Sequence, residues 1–66
     1  MRLKKQAVEL AMARSEMDSY NLAKRSKLSY NTIRKAKNQT DIKPTTAGKI
    51  AKALGVDVGE IVEAEE

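Results

Sequence analysis

The stretch Ser19–Lys37, SYNLAKRSKLSYNTIRKAK, leaves the chain few ways to fold. Its apolar positions are Leu22, Ala23, Leu28 and Ile33, and no alternating strand pattern competes with them. Asp18 stands where an N-cap opens one short helix and Ser29 where an N-cap opens a second, each able to accept bonds from orphan backbone N–H groups. Between the two helices, Ser26-Lys27 has to reverse the chain. From Tyr30 onward the polar residues Tyr30, Asn31, Arg34, Lys35 and Lys37 cover most of the surface, while Ile33 alone faces inward. A helix that buries so little of itself has an exposed face that is either merely solvated or a reader of something.

Size and composition narrow the function classes. At 66 residues the chain is one small domain, able to bury about 60% of its unfolded surface and with no room for a deep catalytic pocket. It has no cysteine and no histidine, which removes disulfides and the commonest metal ligands. No apolar run approaches the roughly 20 residues of a membrane span. The basic start, Met1 to Gln6, is not followed by a signal-peptide apolar core. We therefore expect a soluble chain with no membrane partner, compatible with the cytoplasm. The net charge of +4 is unevenly spread. Residues 1–37 hold ten Lys/Arg against three acids, and residues 38–66 hold three Lys against six acids. A basic half beside an acidic half is the footprint of a polyanion partner on one side, or the lysine excess of an ordinary soluble domain.

Three further helices are legible around the central stretch. Leu3 to Arg14 is rich in helix formers, with Leu3, Ala7, Val8, Leu10 and Ala11 at helical spacing and Met12 and Met17 as gap fillers. The polar loop Asn38 to Pro44 is closed by Pro44, and Thr45 or Thr46 then caps a helix whose inner face is Ile50, Ala51 and Leu54. Gly55 stops that helix in the left-handed conformation. Asp57 and Glu60 have the spacing of a capping box, opening a last helix from Val58 to Val62, followed by an acidic tail. The expected helices are 3–14, 19–25, 30–37, 46–54 and 58–62 in a single domain spanning 1–66.

Laid out in order, the chain resembles the phage Cro and repressor type of helix-turn-helix domain from about Leu3 to Val62. The resemblance is carried by LAKRSKLSYNTI (Leu22–Ile33) and PTTAGKIAKALGVDVGEIV (Pro44–Val62). It implies an all-α, compact five-helix, lambda-repressor-like fold in which Ser29 opens a recognition helix and the later segment buttresses it. The chain departs from that pattern at three positions. Lys27 and Glu16 stand where glycine is usual or common, and Ser19 where the family often has glutamine.

A recognition helix enters the major groove of double-stranded DNA by its N-terminal end. Carried over, the base-reading positions are Tyr30 and Asn31, then Arg34 or Lys35 a turn later. Asn31 suits adenine, Arg34 or Lys35 suit guanine, and Tyr30 suits a thymine methyl or a phosphate. Phosphate contacts fall to Ser19, Lys24, Lys27, Lys37, Asn38 and Lys43, with Thr32 touching the DNA backbone or the neighbouring helix. One short helix reads only a few base pairs, so a homodimer on a palindromic operator is expected, with Val56, Val58, Ile61 and Val62 at the interface. The implied role is a transcriptional repressor. No cofactor, metal or small-molecule ligand is expected, and an enzyme is not, because the chain has no catalytic constellation and no phosphate-cradling glycine loop. The alternative is a protein-interaction module on the same fold, an antitoxin-like or modulator subunit whose basic helix binds an acidic protein.

Overall fold

The computed structural model describes residues 1–38 and 40–63. Over these the chain forms α1 (Lys5–Arg14), α2 (Ser19–Ser26), α3 (Tyr30–Lys37), α4 (Pro44–Leu54) and α5 (Val58–Ile61). The acidic tail expected beyond Glu63 lies outside the described residues.

Local chemistry sets where most of these helices begin. The Asp18 carboxylate accepts from the Asn21 N–H at 2.8 Å, and the Ser29 hydroxyl from the Thr32 N–H at 3.1 Å. At α5 the capping box closes, with the Asp57 N–H donating to Glu60 at 3.0 Å and the Gly59 N–H to Asp57 at 3.0 Å. The fourth helix starts earlier than expected. Pro44 occupies its first position, where a missing N–H leaves nothing unsatisfied, so neither Thr45 nor Thr46 caps it. Lys43 is the flanking residue and makes no side-chain cap bond.

Three helices end in one and the same way. After α1, α2 and α4 a residue takes the left-handed conformation: Glu16 (φ 54°), Lys27 (φ 60°) and Gly55 (φ 72°). In each case the next residue's N–H reaches back to a carbonyl five positions earlier: Met17 to Met12 at 2.9 Å, Leu28 to Ala23 at 3.0 Å and Val56 to Ala51 at 3.1 Å. This is the Schellman arrangement, which satisfies carbonyls the helix leaves unpaired. Glycine would adopt it without strain; only α4 uses one.

The two ends of the chain correct the expected boundaries. Leu3 is not helical, and neither is Val62; they face each other in an isolated antiparallel bridge. The Lys4 N–H donates to the Ile61 carbonyl at 2.7 Å and the Glu63 N–H to the Arg2 carbonyl at 2.8 Å. Lys4, the residue before α1, makes no side-chain cap bond, and extended pairing satisfies backbone groups that an uncapped extra turn would leave open.

The largest fully buried side chains are Leu3, Leu22, Ile33, Ile50, Ile61 and Val8, so α1 to α5 and the bridge all contribute to one core. α2 packs on α3 and α4, while α5 packs on α4 and α1. Leu10 is the exception to the expected core, being 55% exposed. At about 100° per residue it lies on the far side of α1 from Val8, and the inner face is Val8, Ala11 and Met12. Ser26 is buried, and its hydroxyl donates to the Leu22 carbonyl at 2.7 Å within its own helix.

Candidate nucleic-acid interface

Helix α3 is held from beneath by two side chains with no exposed surface, Ile33 and Ala36. They are three residues apart, on one stripe of an eight-residue helix. Tyr30, Asn31, Arg34 and Lys35 are all exposed and share the opposite face, with Thr32 and Lys37 half-buried at its edges. Ser29 and Thr32 hydroxyls lie 2.8 Å apart, so half-buried Thr32 is engaged with the cap of its own helix.

The N-terminus of α2 borders this face. Lys37 Nζ donates to the Ser19 hydroxyl at 3.2 Å, tying the last residue of α3 to the first of α2. Ser19, Tyr30, Arg34, Lys37 and Asn38 together line a shallow surface depression. Three expected phosphate contacts, Ser19, Lys37 and Asn38, are thus brought against two expected base readers, Tyr30 and Arg34. Lys24 and Lys43 are exposed, the latter at the entrance to α4.

Lys27 belongs to a different neighbourhood. With Arg25, Lys49 and Lys52 it rims an open depression floored by Ser26 and Ala53, where the end of α2 meets α4. Sequence reasoning had no role for Arg25, Lys49 or Lys52; the three-residue spacing of Lys49 and Lys52 was the available sign of a shared helix face. It also missed Tyr20. The Tyr20 and Tyr30 rings stack with centroids 4.4 Å apart and planes 9° from parallel. No periodicity announces that contact, because it depends on how α2 and α3 cross.

Ile61 in α5 is 1% exposed and belongs to the chain's own core, so its side chain is not part of a surface. Val56, Val58 and Val62 are half-buried against that core. Among the described residues there is no group of three potential metal-ligating side chains, and no helix long and apolar enough to cross a membrane.

Similarity to known proteins agrees with this geometry. Solved structures superpose on the whole chain: PhpD with cadmium complexed with hydroethylphosphonate, and a mutant of hydroxyethylphosphonate dioxygenase. The TM-scores are 0.83 and 0.84, each at 18% sequence identity. In each case this chain spans 14% of the other chain's length, so the likeness is one of fold over a small part of a larger protein. No curated protein matches the chain. The model of the Cro/C1-type HTH DNA-binding domain matches residues 9–66. With α2 and α3 each opened by a side-chain cap, α3 seated on Ile33 and a match over most of its length, the chain belongs to the Cro/C1-type helix-turn-helix DNA-binding domain family.

Proposed function

We propose that this chain is a transcriptional repressor that binds a palindromic operator as a homodimer, with α3 of each copy in the major groove. The observation that carries the reading is the division of α3: Ile33 and Ala36 fully buried, and Tyr30, Asn31, Arg34 and Lys35 exposed together. In this reading Asn31 pairs bidentately with adenine, and Arg34 or Lys35 donates to guanine O6 and N7. Ser19, Lys24, Lys27, Lys37, Asn38 and Lys43 hold phosphates, and Thr32 acts chiefly by fixing the Ser29 cap.

A dimer follows from length. Eight residues of helix span about 12 Å, enough for three or four base pairs, which is too little for specific binding by one copy. Two half-sites about 34 Å apart supply the rest. Val56, Val58 and Val62 remain the proposed contact, joined by exposed Leu10 on α1, the helix that packs against α5. Selection of bound duplexes from a random pool tests the whole reading. The expected product is an inverted repeat with one major-groove turn between half-sites; a pool that shows no enrichment, or a single unrepeated site, contradicts it.

A second reading, the interaction module, is favoured by one feature. The depression rimmed by Arg25, Lys27, Lys49 and Lys52 has no acidic residue in its lining, and it suits an acidic protein segment. A stable heteromeric complex that forms while no DNA is bound at low salt would select this reading over the first.

A further inference from the structure

Leu10, Tyr20 and Tyr30 are the large apolar side chains that stand exposed among the described residues, and the two tyrosines touch each other. Tyr20 is 65% exposed and Tyr30 37%, although their rings are stacked. Tyr30 is the first residue of α3, and Tyr20 the second residue of α2. The pair therefore sits where the beginnings of both helices meet the candidate DNA face.

The stack changes what Tyr30 can do. One face of its ring is covered by Tyr20, and the ring plane is fixed by a near-parallel neighbour. A duplex approaching α3 meets a two-ring slab rather than one mobile phenol. The floor of the major groove is polar except for the C5-methyl group of thymine, which packs on apolar side chains. A phenol hydroxyl can reach a phosphate from many ring orientations and needs no stacked partner. A methyl group packed on a ring needs the ring plane held. We infer that Tyr20 is a positioning and specificity-determining residue: stacked on Tyr30, it fixes the aromatic slab that receives the 5-methyl group of a thymine in each half-site. This rests on the reading of α3 as the recognition helix.

The experiment uses duplexes recovered by selection with the wild-type chain, with each thymine replaced in turn by deoxyuridine, which deletes the methyl group alone. The wild type should lose about fourfold in affinity at one thymine per half-site, the amount expected for one buried methyl-sized group. Tyr20→Ala should bind the thymine and uracil duplexes alike at that position, while keeping its base preferences elsewhere and its salt dependence. Tyr20→Phe, which retains the ring, should restore the discrimination. Thermal melting followed by circular dichroism reports whether each variant folds; if Tyr20→Ala does not, Tyr20→Leu serves, and should lose the same discrimination. Indifference of the wild type to every thymine methyl overturns the inference. So does a Tyr20→Ala variant that still discriminates, or one that weakens evenly at all positions. A wild-type chain that enriches no duplex removes the recognition-helix reading itself, and this inference with it.

Discussion

Lys27 shows how a single residue can serve fold and function in opposition. It holds φ at 60° where an L-residue is strained by roughly 1–2 kcal/mol, and its side chain is exposed beside Arg25, Lys49 and Lys52. Glycine relieves the strain but has about 0.5–1 kcal/mol more unfolded-state freedom to lose. Lys27→Gly should therefore stabilise the domain by about 0.5–1 kcal/mol, raising the melting temperature by a few degrees. If Lys27 touches a phosphate, the same variant should bind DNA more weakly, with a log–log salt slope shallower by about 0.9 for each copy bound. Unchanged melting would speak against backbone strain at this position. Asn31 separates from Lys24 by the kind of loss each variant shows. Asn31→Ala should cost about 1–3 kcal/mol on the preferred site and relax preference at one base pair, whereas Lys24→Ala should weaken all sequences alike. Competition against single-base operator variants distinguishes the two.

At the scale of the element, what sequence could and could not reveal divides by distance along the chain. The caps at Asp18 and Ser29 and the Asp57–Glu60 box are contacts between residues two or three apart, and the side-chain types announce them. The start of α4 was legible in Pro44 itself, but threonine's capping preference pointed two residues too far along. The Leu3–Val62 bridge joins residues 59 apart, so an apolar Leu3 at helical spacing read as helix. The Tyr20–Tyr30 stack and the basic rim around Ala53 depend on interhelical packing in the same way. Two substitutions probe the elements directly. Gly48 lies inside α4, and a Cβ there would meet nothing within 4 Å. Gly48→Ala should stabilise the domain by about 0.5–1 kcal/mol in chemical denaturation, since helix propensity improves without a clash. Ile33→Ala removes the main anchor of α3 and should cost roughly 2–5 kcal/mol, a large part of what a domain this size has to lose. A small loss would mean that α3 is not held by that side chain.

For the whole molecule, the layout joins a basic half to an acidic one through a shared core. Residues 1–37 carry a net charge of +7 and contain α1 to α3; residues 38–66 carry −3. The five residues of α2, α3 and the end of α3 that line one depression are polar or basic, and none is acidic. Such a face gains affinity for DNA chiefly by releasing counterions, so the strength of binding should track ionic strength. The most direct measurement is titration of the selected duplex at 50 and 200 mM salt. A dimer making about 6–10 phosphate contacts should lose on the order of 10³–10⁵ in affinity between these conditions; an affinity that stays flat, or no measurable binding at the lower salt, would contradict a DNA-reading α3.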